Sequence, residues 1–233
     1  MLEDLKEQVF QANLDLVRHG LVILTFGNAS GVDRKTRIAA IKPSGMSYDG
    51  MRPEDMVLID LDGRIVEGRL RPSSDTPTHL ALYKAFAEIG GIAHAHSVEA
   101  TAFAQACLPI PCLGTTHADH FHGPVPVTRF LTAQETEAAY EANTGAVIVE
   151  TMAGLKPLDM PAVLVAGHGP FTWGRTAAEA VHHALILETI ARTARATLGL
   201  NPNIGALPAH ILRKHHERKH GPQAYYGQTK EKP

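Results

Sequence analysis

Cysteine is almost absent from this chain: Cys107 and Cys112 are the only two in 233 residues. Prolines lie between them, so no disulfide framework is readable, and a chain of this length buries enough core to fold without one. An excess of either charge is missing too. Lysine and arginine number 22 against 24 aspartates and glutamates, a net charge of −2. That balance excludes a globally basic nucleic-acid binder and an acidic solvating tail. No apolar run approaches the ~20 residues of a membrane helix. The charged start Met1-Leu2-Glu3-Asp4-Leu5-Lys6-Glu7 lacks the apolar stretch of a secretory leader. The expectation is a cytoplasmic protein with neither a membrane nor a nucleic acid as partner. Walker and dinucleotide glycine patterns are missing, which argues against a nucleotide ligand. Repeats, linkers and low-complexity blocks are missing as well, so one domain is expected.

Apolar residues make up 44% and charged residues 20%, a globular composition. Leu2, Leu5, Val9, Ala12 and Leu16 recur at helical spacing, and Gly20 closes that helix. Strands are predicted at Leu21 to Leu24, Ile38 to Ile41, Ile92 to His96, Ala146 to Glu150 and Ala162 to Ala166. Val57 to Val66 reads as a hairpin turning at Asp62-Gly63. Further helices are predicted from Thr76-Pro77 to Gly90, over Val98 to Cys107, from Thr132 through about Asn143, from Thr176 to near Gly199, and over about Leu207 to His220. Thr25 to Ser30 reads as a polar turn, and Phe171 and Trp173 as residues packing a core edge. Helices and strands intermix without a regular βαβ alternation, which predicts an α/β domain whose sheet is mainly antiparallel.

The abundance that stands out is histidine, 14 residues in all. His94-Ala95-His96 falls on a predicted strand, where residues two apart share a face. His168 follows a second strand in Ala166-Gly167-His168-Gly169, and Asp75 stands at a helix entrance in Ser73-Ser74-Asp75-Thr76-Pro77. Three imidazoles with a carboxylate suit a divalent metal with a coordination position left for substrate. The same residues also fit ordinary histidines and a helix cap. Asn28 and Ser30, Lys42 with Ser44-Gly45, and Ser73-Ser74 are short polar turns of the kind that hold a phosphate. The segment Thr115-Thr116-His117-Ala118-Asp119-His120 is dense in titratable groups. The basic run Arg213 to His220 fits a solvated helix face that attracts anions.

Several stretches are longer than any short motif: Ile41-Lys42-Pro43-Ser44-Gly45, Pro72-Ser73-Ser74-Asp75-Thr76-Pro77-Thr78-His79, Gly114-Thr115-Thr116-His117-Ala118-Asp119, Gly145-Ala146-Val147-Ile148-Val149-Glu150, His168-Gly169-Pro170-Phe171, and Arg218-Lys219-His220-Gly221 with Ala224-Tyr225-Tyr226-Gly227-Gln228. Along nearly its whole length the chain resembles the L-ribulose-5-phosphate 4-epimerases of the class II aldolase/epimerase family. His120 and His122 depart from that pattern, standing where tyrosines are usual.

The resemblance implies one domain over residues 1–228, a three-layer fold with a central mainly antiparallel sheet and helices on both sides, followed by a polar, disordered tail at 229–233. It implies a homotetramer with sites at the subunit interfaces and a phosphorylated ketopentose as substrate. One divalent metal per subunit, zinc in this family, would be held by His94, His96 and His168 with Asp75 beside it. Asn28, Lys42, Ser44, Gly45, Ser73 and Ser74 would bind the substrate phosphate. Asp119 and Tyr226 would be the acid–base pair, Tyr226 coming from an adjacent subunit, with Thr115, Glu141 and His215 around the site from across the interface. Inversion at C4, a carbon bearing no acidic hydrogen, would then proceed by retro-aldol cleavage of C3–C4 and re-addition. The alternatives are an aldolase of the same family acting on a deoxy-sugar phosphate such as L-fuculose 1-phosphate, and a member that binds metal without catalysis.

Overall fold

The computed structural model of the protein describes residues 2–226; Met1, Gly227, Gln228 and the 229–233 tail expected to be disordered lie outside the described residues. Seven strands form one sheet: β1 (Asn28–Asp33), β2 (Ile38–Ile41), β3 (Val57–Asp60), β4 (Ile65–Glu67), β5 (Gly91–His94), β6 (Ala162–Val165) and β7 (Gly169–Gly174). Their spatial order is β4-β3-β2-β1-β5-β7-β6. Every neighbouring pair runs antiparallel. Among the described residues there are seven α-helices: α1 (Leu2–Arg18), α2 (Thr76–Ala85), α3 (Val98–Gln105), α4 (Thr115–Ala118), α5 (Ala133–Thr151), α6 (Ala177–Leu200) and α7 (Ala209–His220).

Alternation along the strands divides the core in two. Ala40, Leu58 and Ala93 face a cluster with Leu5, Val9, Ala12 and Leu16 of α1 and the first turns of α6. Ala39, Ile59 and Ile92 face the opposite cluster, with Leu82 and Tyr83 of α2, Phe103 of α3 and Ile148 of α5. The expected three-layer arrangement is present, with helices on both faces. Asn13, buried in α1, donates its amide to the Ala29 carbonyl at 3.0 Å and accepts from the Ala29 N–H at 2.8 Å, tying α1 to β1.

Two strand assignments and one packing assignment from the sequence pattern are corrected. Leu21 to Leu24 forms no strand; the chain enters the sheet later, at the segment expected to be a polar turn, and β1 begins at Asn28. Ala146 to Glu150 is helical, the second half of α5, whose buried Thr144, Gly145, Val147 and Ile148 fall on one helical face. A β-branched run favours a strand locally, but here packing against α2 decides. Phe171 and Trp173 do not sit at a core edge. They lie fully buried in β7, an inner strand between β5 and β6. The hairpin at residues 57–66, the starts of α2 and α3 at Thr76 and Val98, and the capping of α5 and α6 by Thr132 and Thr176 agree with expectation.

Candidate active site

The site grows from the end of β5. Asn28 and His94 are directly paired across β1 and β5 on the face that carries Ile92, so the two side chains emerge together. The strand stops at His94, two residues short of expectation, and His96 follows it. His94 Nδ1 lies 2.9 Å from the Pro170 carbonyl. A carbonyl only accepts, so that nitrogen carries the proton, and Nε2 keeps its lone pair for the site. His96 Nε2 is 3.2 Å from His94 Nε2. His168 joins them from the β6–β7 turn, where Gly167 takes a left-handed φ of 70°. One nitrogen from each of the three rings lies within 4.8 Å of the other two.

These residues fit a divalent metal. Tetrahedral zinc with nitrogen ligands at roughly 2.0–2.1 Å sets those ligands about 3.3–3.4 Å apart, close to the separation of His94 and His96. Burial, reinforced by the neighbouring His94 and His96, pushes His168 down to about 4, and burial likewise lowers His96. Both are therefore neutral at pH 7, the form that ligates. Asp75 occupies the N-cap position of α2, but its side chain makes no capping hydrogen bond. Its carboxylate accepts from Asn28 Nδ2 at 2.6 Å instead. Burial pushes the Asp75 carboxyl upward, but His94, His79, the Asn28 hydrogen bond and His168 together outweigh it, and it ends below the ordinary carboxylate range.

Beside the histidines two loops are clamped together. The Ser73 N–H donates to the Lys42 carbonyl at 3.0 Å and the Ser44 N–H to the Arg71 carbonyl at 2.9 Å. Gly45 takes a left-handed φ of 65°, which closes the turn after Ser44. Lys42 is 1% exposed. Its ammonium has no carboxylate within ion-pair distance among the described residues; it meets the Pro43 carbonyl at 3.4 Å and the Tyr48 ring face at 4.7 Å. Burial lowers it to about 8. One cavity of about 330 Å³ is lined by Asn28, Lys42, Ser44, Gly45, Ser73 and Ser74 together with Asp75, His94, His96 and His168. Those ten expected residues share one space.

The acid–base candidates stand elsewhere on the chain. Asp119, at the end of α4, is held by α7: Arg218 donates from Nε to Oδ1 at 2.9 Å and from Nη2 to Oδ2 at 2.6 Å, and His215 Nδ1 lies 3.0 Å from Oδ1. Tyr226, largely exposed, lies over the Arg218 guanidinium at 4.7 Å. None of Thr115, Asp119, His215 and Tyr226 is among the residues lining the cavity. The basic run at 213–220 is thus more than a solvated face, since Arg218 and His215 turn onto Asp119 and His216 is buried.

Comparison with known proteins shows the family. A sequence profile of the class II aldolase and adducin N-terminal domain matches residues 7–195. The chain belongs to that family. Within it, the chain is 52% identical over 227 residues, 97% of its length and all of the relative's, to L-ribulose-5-phosphate 4-epimerase UlaF of Salmonella paratyphi A. The UlaF protein of Salmonella typhi matches equally. Among solved structures, an L-fuculose 1-phosphate aldolase superposes with a TM-score of 0.79 at 28% identity, covering 92% of this chain and 95% of the other. YgbL of Klebsiella pneumoniae, a putative aldolase/epimerase/decarboxylase, gives 0.73 at 26% identity, covering 91% and 98%.

Glu141, expected from across an interface, lines the cavity of its own chain. Asp119 and Tyr226, expected from different subunits, gather around one guanidinium of a single chain. Tyr140 also lines the cavity and was not anticipated. Its position follows from a break in α5 at Ala139, where an extended φ of −167° interrupts the helix just before Tyr140 and Glu141. Nothing in the local sequence signals that break. Thr25 and Phe26 line the cavity too, from the segment leading into β1.

Proposed function

We propose that the protein is a metal-dependent isomerase that interconverts L-ribulose 5-phosphate and D-xylulose 5-phosphate by breaking and remaking C3–C4. The observation that carries this reading is the pairing, in one cavity, of a three-imidazole cluster with a buried lysine that has no carboxylate partner among the described residues. A buried ammonium without an anion invites one from outside, and a sugar phosphate supplies it. The relatives named as L-ribulose-5-phosphate 4-epimerases, alike over 97% of the chain, support the same substrate.

Lys42, Asn28, Ser44, Gly45, Ser73 and Ser74 grip the phosphate. His94, His96 and His168, beside Asp75, would hold a divalent ion, zinc by the chemistry of the donor set, which would supply Lewis-acid stabilisation of the charge that develops on the ketone fragment. Asp119 and Tyr226 exchange the proton of the C4 hydroxyl, one on each side of that carbon. Taking this proton breaks C3–C4, with the bonding electrons passing to the ketone fragment. The phosphate grip retains the aldehyde while its carbonyl turns over; the ketone fragment then remakes C3–C4 at the opposite face of that carbonyl, and the C4 oxygen takes its proton from the other member of the pair. Asp119 and Tyr226 do not line the cavity of their own chain, so a neighbouring copy delivers them, with Thr115 and His215 alongside. A homotetramer with its sites at the interfaces provides that arrangement. We place the enzyme in the cytoplasm, because charged phosphate esters do not cross a bilayer unaided.

An aldolase that releases both halves of a deoxy-sugar phosphate is the second reading, favoured by the superposition on the L-fuculose 1-phosphate aldolase. Incubation with L-ribulose 5-phosphate, before and after treatment with a chelator, separates the readings. D-xylulose 5-phosphate should form, and chelation should abolish it until a divalent metal is restored. Free aldehyde in stoichiometric yield would identify an aldolase, and bound metal without turnover a non-catalytic protein.

A further inference from the structure

We infer that Arg218 is the positioning residue that builds Asp119 and Tyr226 into one acid–base unit, an inference that rests on the epimerase reading above. Three independent contacts converge on it. Its Nε and Nη2 meet the two oxygens of Asp119 at 2.9 and 2.6 Å, a bidentate fork that fixes both the position and the rotation of the carboxylate. Its guanidinium lies 4.7 Å from the centre of the Tyr226 ring, with the Lys219 ammonium 4.5 Å from the same ring. Its main-chain carbonyl accepts from the N–H groups of Tyr225 and Tyr226 at 3.0 and 3.1 Å, closing the turn that brings the chain back after α7. Without the Arg218 side chain the main-chain bonds of the turn remain, but among the described residues the Tyr226 ring keeps Lys219 as its one cation, and the Asp119 carboxylate keeps one hydrogen-bonding side chain, His215.

The fork also governs charge. Asp119 is 7% exposed, and burial alone would raise its carboxyl. Arg218 and His215, which donate to it, and nearby Lys219 overcome that and hold it below the usual carboxylate range. His220 Nε2 adds a hydrogen bond to the Asp119 carbonyl at 2.8 Å, which fixes the backbone and leaves the carboxylate to Arg218 and His215. Asp119 therefore starts the reaction as a base. Lysine in place of Arg218 would keep the cation and lose the planar fork.

The test is the pH dependence of turnover of L-ribulose 5-phosphate by Arg218→Lys and Arg218→Ala, with Asp119→Asn alongside. Thermal melting, sedimentation and metal content check that each variant is assembled. Arg218→Lys should lower kcat at least ten-fold while KM and the inhibition constant of inorganic phosphate stay within two-fold. The acidic limb of kcat/KM should move to higher pH, because loss of the fork raises the Asp119 carboxyl. Millimolar guanidinium should restore part of the rate of Arg218→Ala, an effect that a purely structural role would not produce. Arg218→Lys with wild-type kcat and an unmoved acidic limb, beside an inactive Asp119→Asn, overturns the role of Arg218 alone. An Asp119→Asn protein with full turnover overturns the acid–base reading beneath it.

Discussion

Lys42 shows how much one side chain can decide. Its burial, with no carboxylate within ion-pair distance among the described residues, lowers it from 10.5 to about 8, so the ammonium exists below that pH and is lost above it. The proposed phosphate grip should weaken in the same window. The alkaline limb of kcat/KM should fall near pH 8, and Lys42→Met should lack that limb. Stability carries the opposite sign: between about 8 and 10.5 the unfolded chain holds a proton that the folded chain has released, so this group's contribution to stability rises with pH. A charge-assisted hydrogen bond contributes about 1.5–3 kcal/mol, so Lys42→Met should raise KM roughly ten- to hundred-fold. It should also raise the ratio of free glycolaldehyde phosphate to epimer, since C3–C4 cleavage survives while retention of the fragment does not. Equal loss of both products would show that Lys42 does not hold the fragment. At this scale the sequence was largely legible, because His94, His96, His168 and the Lys42 and Ser73 loops are local patterns of chemically distinctive residues. Tyr140 was not, because its place depends on a helix break that local sequence does not encode.

Among the elements, the pattern succeeded where local preference and tertiary packing agree, as in α1, α2 and α6, and failed where they part. β7 contains Gly169, Pro170 and Gly174, all poor strand residues. It is a strand nonetheless, because Pro170 lies one residue beyond the last β5–β7 pair, His94 with Phe171, where its missing N–H takes no bond from that pairing. The second half of α5 is the reverse case, a β-branched run made helical by its fit against α2. Gly145 carries that fit: a Cβ there would stand 2.6 Å from Ala81 Cβ and 3.3 Å from Thr78 Cα. Gly145→Ala improves helix propensity by about 0.5–1 kcal/mol, but crowding a packed contact costs about 1–3 kcal/mol. The melting temperature should therefore fall by a few degrees. A rise on calorimetry would mean that α2 and α5 move apart freely. α2 begins at Thr76, next to Asp75, so this contact lies close to the candidate site as well.

For the molecule as a whole, the decisive fact is that metal-binding and acid–base candidates lie apart on one chain. If each site joins the cavity of one subunit to the Asp119–Tyr226 pair of the next, His96→Asn and Asp119→Asn proteins are each inactive but complementary. Mixed after unfolding and refolding, they should regain roughly a quarter of full activity, the fraction of interfaces that join two intact halves. Asp119→Asn mixed with Tyr226→Phe should regain none, because both groups belong to the same half. Activity from that second mixture would place the two groups on different subunits. The β5–β7 pairing has a consequence for the order of events during synthesis. It joins His94 to Phe171 across more than seventy residues, and His94 is oriented by the carbonyl of Pro170. A nascent chain that has emerged only as far as α5 carries two of the three imidazoles and lacks the residue that aims the first. Contacts of such sequence separation form late, so the complete three-histidine cluster is a product of sheet closure and cannot guide the earlier steps of folding.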